Sequence, residues 1–156
     1  MSIAIEYAEV NPANLDVIQP LWEKLNEHHK NKSDRFGQFY ATRTFNQRKS
    51  DLLEKSQNGY LHIDIATNSN SGAIVGYCIS TISKGQGEID SIFIENNFRN
   101  CGIGDNLMLR ALHWMDNFSI NTKILIVATG NEEVLSFYSR YNFYPRRIIL
   151  EQPPAH

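Results

Sequence analysis

The run Arg99-Asn100-Cys101-Gly102-Ile103-Gly104 constrains this chain more than any other stretch. Glu88 to Ile94 before it reads as a strand. After it, Ile103, Leu107, Ala111, Trp114 and Phe118 recur at the spacing of an amphipathic helix. Lys123 to Ala128 is then a short apolar run of the kind buried in a sheet interior. Strand, glycine loop, helix and strand predict a parallel strand pair with a right-handed crossover. The first turn of such a helix presents unpaired backbone N–H groups and a partial positive charge. Glycines let a phosphate approach that backbone, and Arg99 adds a charged fork. The loop is therefore expected to hold a phosphate. It is not the dinucleotide fingerprint, because Leu107 stands where a third glycine belongs. It is not a P-loop either, because no Gly-Lys-Ser/Thr follows.

The remaining elements are read from their periods. Ile3 to Ala8 alternates as a first strand. Asn11-Pro12 reads as an N-cap with proline at the first helical position. Leu15, Ile18, Trp22, Leu25 and His29 follow at helical spacing, and Pro20 predicts a kink or a later helix start. A weaker helix covers Arg43 to Ser56. Tyr60 to Thr67 and Ala73 to Ser83 are strands around an Asn/Ser/Gly hairpin turn, and Lys84 to Gly87 is the next turn. Val134, Phe137, Tyr138 and Tyr141 mark another helix. Phe143 to Glu151 is expected as a last strand, with Pro145 at an edge or bulge. The order β, α, α, three strands, α, β, α, β is an α/β chain with a mixed sheet and helices on its faces.

A length of 156 residues with 42% hydrophobic and 11% aromatic content suits one domain, residues 1–156, with one core. The formal net charge of -2 argues against a general nucleic-acid partner. The N-terminal residues Met1 to Glu6 lack the basic start and apolar run of a signal peptide. No apolar stretch approaches the ~20 residues of a membrane span. The two cysteines, Cys78 and Cys101, form no disulfide framework. The expectation is a soluble, cytoplasmic protein with no membrane partner. His28 and His29 lack a third ligand at suitable spacing, so no metal is expected.

Together with the element order, Arg99-x-x-Gly102-x-Gly104 resembles the GNAT superfamily of N-acetyltransferases. The resemblance covers Glu88 to Phe143. It implies a central mixed, mostly antiparallel sheet with a parallel strand pair after the loop and helices on both faces. It implies acetyl-CoA as cofactor, with Arg99, Asn100, Cys101, Gly102, Ile103 and Gly104 facing its pyrophosphate. Ile92 and Ile94, with Phe93 between them, match the strand whose backbone pairs with the pantetheine arm. Asn131, Phe137-Tyr138 and Tyr141-Asn142-Phe143 resemble a second family pattern. There the asparagine bonds the pantetheine arm and the tyrosine sits near the thioester sulfur. Two departures stand out. Asp105 opens the helix where the family has a small or basic residue, and Asn142 replaces a glycine.

The implied reaction moves an acetyl group to a primary amine, a small molecule or a peptide amine, by direct attack. The amine must lose a proton and the departing thiolate gains from a positioned acid. Tyr138 is the expected acid and Glu88 the expected base, directly or through water. Asp90 lies two residues on, on the same face of a regular strand. The resembling family often has a bulge in this strand, the alternative in which the two would be set apart. His28 and His29 near the acceptor side read as a surface pair, and Arg43 and Arg48 as helix-surface charge that could hold a substrate carboxylate. Phe36, Phe39, Tyr40 and Phe45 suggest an apolar pocket wall or core. Homodimers are common among the resembling proteins, and the last strand would offer a pairing edge. Two other readings stand beside this one: a non-catalytic acyl-CoA-binding module, and a nucleotide-binding fold for another phosphate ligand.

Overall fold

The computed structural model describes residues 3–154, so Met1 and Ser2 of the N-terminal reading and the last two residues of the 1–156 domain lie outside it. Five strands form one sheet: β1 (Ile5–Val10), β2 (Tyr60–Asn68), β3 (Ile74–Ser83), β4 (Gln86–Ile94) and β5 (Thr122–Leu125). They lie in sequence order, antiparallel throughout except for the parallel pair β4–β5. β3 is central, and all its residues but the two terminal ones are buried. Such a strand is covered on both faces.

Two apolar clusters cover the two faces. On one face Leu15, Ile18, Leu21 and Trp22 pack with Phe45 and Leu52 onto Ile63, Tyr77, Ile79 and Phe93. These helical residues come from a 3-10 segment (Pro12–Ile18), α1 (Gln19–Lys32) and α3 (Phe45–Lys55). On the other face α4 (Ile103–Met115) places Ile103, Leu107, Met108, Ala111 and Met115 on Ala66, Cys78, Ile82 and Ile89. The i, i+4 and i+8 spacing read from the sequence is the buried stripe of this helix.

Local chemistry starts and stops these elements. The Asn11 side chain accepts from the Ala13 N–H at 2.9 Å, as an N-cap does. Pro20 falls in the first turn of α1, so the helix starts late rather than kinking. Thr44 and Gln47 form a reciprocal capping box at the start of α3. α2 (Gly37–Thr42) lies in a stretch where no helix was expected, one and a half turns with no buried residue. The turn between β3 and β4 shrinks to Lys84 and Gly85, both at positive φ, so β4 begins at Gln86.

The expected last strand does not form. Residues 143–154 have no regular structure, and Ile148, Ile149 and Leu150 are 85%, 77% and 92% exposed. Pro145 removes a ladder donor, and three consecutive aliphatic residues lack the alternation that commits one face to a core. The Lys123 to Ala128 run is not in the sheet interior as expected: β5 is the edge strand on that side, its first two residues are exposed, and it ends at Leu125 because no further strand pairs with it. The helix expected around Val134 to Tyr141 is a 3-10 turn (Glu132–Val134) continuing into α5 (Leu135–Ser139). Among the described residues no helix is long and apolar enough to cross a membrane, and no cluster of His, Cys, Asp or Glu could hold a metal ion.

Candidate active site

The glycine loop is built as an open cradle. Asn100 and Gly102 both sit in the left-handed region, at φ 62° and 80°. Gly102 is the N-cap of α4 and supplies no side-chain cap, so the first-turn N–H groups face outward. A Cβ built on Gly102 meets nothing within 4 Å, which marks free space at the helix start. One on Gly104 would lie 3.3 Å from Phe137 Cζ, so glycine here lets α5 pack against α4. The Ile103 side chain is buried, and what it offers the cradle is its backbone N–H. Arg99, Asn100 and Cys101 are exposed. The Arg99 guanidinium lies over the Phe93 ring at 5.7 Å and donates from Nε to the Ile94 carbonyl at 3.2 Å. The cradle fits a diphosphate: open space, free N–H donors, a helix dipole and an adjacent arginine.

β4 runs from this loop back into a cleft. Its ladder to β5 ends at Ile89 opposite Leu125. From Ser91 to Ile94 only β3 pairs with it, and its other edge opens toward the exposed Ile126. A bulge opposite the Ile79–Ser80 step leaves Asp90 without a cross-strand partner. It does not separate Glu88 from Asp90. Both still face α3, and Lys55 Nζ lies 2.8 Å from Glu88 Oε1 and 2.5 Å from Asp90 Oδ1. The extra residue instead flips the phase beyond it. Ser91 and Phe93 stay on the α1 face, while Ile92 and Ile94 turn toward α4. Phe93 is thus a core side chain, and only its backbone reaches the open edge.

Glu88, Asp90, Ile92, Asn131 and Tyr138 line one cavity of 310 Å³ with His29, Tyr40, Arg43 and Arg48. The two carboxylates differ. The Asp90 side chain is 1% exposed and also accepts from Thr81 Oγ1 at 2.7 Å, so both its oxygens are engaged. The Glu88 side chain is 14% exposed and has Lys55 as its one hydrogen-bond partner among the described residues. Burial, with a smaller contribution from Cys78, pushes the Tyr138 hydroxyl up to about 12, so it keeps its proton at neutral pH. The Asn131 side chain lies 3.3 Å from His28 Nε2. Burial, then the charge of His28, lowers His29 to about 4. It is therefore a neutral imidazole, and its buried Nδ1 has no partner. His29 packs against Tyr40 at 5.5 Å, so it is part of the cavity wall rather than a surface residue. Phe39 and Tyr40 line the same wall, whereas Phe45 belongs to the core.

Asp105 turns toward α5. Its carboxylate accepts from Tyr141 Oη and from the Arg140 guanidinium, and those bonds hold it below the usual carboxylate range. Its charge is answered in place. Lys55 was absent from the sequence reading, although a signal for it exists: Arg48, Leu52 and Lys55 share one helix stripe whose middle member is buried.

The fold has counterparts among solved structures. A structure of the aminoglycoside N-acetyltransferase AAC(6')-Iy in complex with CoA superposes with a TM-score of 0.69 at 15% identity, covering 99% of this chain and 98% of that one. Glucosamine-6-phosphate N-acetyltransferase from Arabidopsis thaliana gives 0.64 at 15% identity, covering 96% and 97%. The BH1408 protein from Bacillus halodurans gives 0.73 at 14% identity, covering 96% and 99%. No curated protein sequence matches the chain. The sequence profile of the acetyltransferase (GNAT) family matches residues 21–143, from the start of α1 through the loop, the cleft and α5. With that match over most of its length, and with the mixed five-stranded sheet and its loop at the start of α4, this chain belongs to the acetyltransferase (GNAT) family, whose co-substrate is acetyl-CoA.

Proposed function

We propose that residues 1–156 form one N-acetyltransferase domain that moves an acetyl group from acetyl-CoA to a primary amine by direct attack. The observation that carries this reading is the opening between β4 and β5. It joins a cavity containing Glu88, Asn131 and Tyr138 to a strand that ends in an open phosphate cradle.

Acetyl-CoA supplies an acetyl group already activated as a thioester. The loop from Arg99 to Gly104 holds its diphosphate through the backbone N–H groups of the Asn100 to Gly104 stretch and the Arg99 charge. The free backbone edge of Ile92, Phe93 and Ile94 and the Asn131 side chain hold the pantetheine arm. Glu88 takes the proton that the amine gives up, directly or through a water. Asp90, with both oxygens bonded, holds Lys55 and through it Glu88. Tyr138, protonated because burial disfavours its anion, hands its proton to the departing sulfur. The acceptor is a small-molecule or peptide amine. A homodimer completes the reading, since the edge of β5 and the exposed Ile148 to Leu150 offer surface to a second copy; light scattering reads the mass.

One observation favours a second reading. Both cleft carboxylates are already bonded to Lys55, which suits a non-catalytic acyl-CoA-binding module. Titration of acetyl-CoA into the wild type and Gly102→Trp, with circular dichroism confirming the fold of each, tests the cofactor site. Binding by the wild type alone supports the cradle, and a subsequent amine screen separates the enzyme from the module. A folded wild type that binds no acetyl-CoA defeats both readings.

A further inference from the structure

The cavity carries two guanidinium groups that the proposed proton transfers do not use. Arg43 follows α2, Arg48 lies on α3, and both line the wall shared with Phe39 and Tyr40. The Arg43 side chain is 24% exposed, and its Cζ lies 5.3 Å from the Phe39 ring centre. Its carboxylate partner is Asp51 at 3.4 Å, a long contact to a side chain that is 63% exposed. Arg48 donates to the backbone carbonyl of Asp90 at 2.9 Å, and among the described residues no carboxylate ion-pairs with it. Burial first, then the Arg48 charge, draws Arg43 below its ordinary pKa, which is the signature of two like charges sharing one desolvated wall.

The other charged groups facing this wall do not answer the pair. Glu88 and Asp90 are bonded to Lys55. His29 is neutral. Glu151 acts on Tyr40 from the C-terminal segment, and among the described residues Asp51 is the one carboxylate that acts on Arg43. Two forked donors with free N–H groups in a half-buried site match a carboxylate or a phosphate. A volume of 310 Å³ accommodates a small acceptor rather than a folded protein surface.

Resting on the acetyl-transfer reading above, we propose that the acceptor is a primary amine carrying an anionic group, a carboxylate or a phosphate, which Arg43 and Arg48 hold while the amine faces Glu88. The same pair disfavours a polycationic amine, which would bring further positive charge to a wall that already has two.

The test is a panel of matched amines: phenylalanine against phenylalaninamide, glucosamine 6-phosphate against glucosamine, and spermidine as the polycation. It is run on the wild type, Arg43→Gln and Arg48→Gln. For at least one pair, the wild type should favour the anionic member in kcat/KM by roughly ten- to hundredfold, the scale of hydrogen bonds to a charged group. The responding pair tells carboxylate from phosphate. Each variant should bring that ratio toward unity, with circular dichroism and calorimetric affinity for acetyl-CoA unchanged. Equal use of neutral or polycationic amines by the wild type, or a ratio that survives both variants, overturns the inference alone. Acetyl-CoA binding with no panel amine acetylated overturns it together with the acetyl-transfer reading and leaves the acyl-CoA-binding module. A folded wild type that neither binds acetyl-CoA nor acetylates any amine defeats the underlying function and this inference together.

Discussion

Asp90 Oδ1 lies 2.5 Å from Lys55 Nζ, although the two residues are 35 positions apart and the Asp90 side chain is almost fully buried. A buried carboxylate persists only when paired and hydrogen-bonded. Lys55 thus ties the end of α3 to the bulge of β4 and holds Glu88 at the cavity.

Lys55→Met removes this partner and leaves the Asp90 charge buried with Thr81 alone. The expected loss of stability is about 3 kcal/mol, at the low end for a broken buried pair because the Lys55 side chain is a third exposed. Urea unfolding measures it. Adding Asp90→Asn should recover much of the loss, because the uncompensated charge goes. A double variant no more stable than Lys55→Met would show that Asp90 is not the reason.

Tyr138→Phe deletes the proposed acid and keeps the ring against Phe137. Turnover should fall roughly a hundredfold, the usual scale of one positioned proton donor. Calorimetry should find acetyl-CoA affinity nearly unchanged. Unaltered turnover would remove Tyr138 from the chemistry and return it to the packing of α5.

His29 gives a pH signature. Its folded-state pKa of about 4 lies below the ordinary 6.5. Between these values the unfolded chain binds a proton that the folded chain refuses. Stability therefore falls as pH drops from 6.5 towards 4, and this group adds no further loss below that. His29→Gln removes this contribution, so its unfolding midpoint should drop less than the wild type's between pH 7 and pH 5. The carboxylates titrate in both proteins and cancel in the difference. Parallel pH profiles would refute the buried, neutral imidazole.

The Asp105 carboxylate is already matched by Arg140 and Tyr141. Asp105→Asn should change acetyl-CoA affinity by about twofold or less, since an exposed, paired charge contributes little. Arg140→Gln should weaken binding more, because it frees a negative charge on the first turn of α4. A large gain in affinity for Asp105→Asn would mean that the carboxylate faces the diphosphate after all.

The sequence alone settled whatever is local in the chain. Gly102 and Gly104 between a strand and an amphipathic stripe determined the open start of α4. Asn11, Pro20 and the Thr44–Gln47 box determined where helices begin, because capping depends on residues one turn apart. The i, i+4, i+8 stripe of α4 determined the face it buries, and the loop residues were enough to show the family resemblance. The tertiary structure decided what depends on partners distant in sequence. No period of 2 announces the bulge at Asp90, which is set by registry against Ile79 and Ser80. The pairing of Lys55 with two carboxylates of another element, and the turning of His29, Arg43 and Arg48 into one cavity, arise only when α1, α2 and α3 pack over β4. Phe143 to Glu151 shows the converse. A strand needs a neighbour to satisfy its backbone, and sequence composition supplied strand-like residues but could not supply the partner.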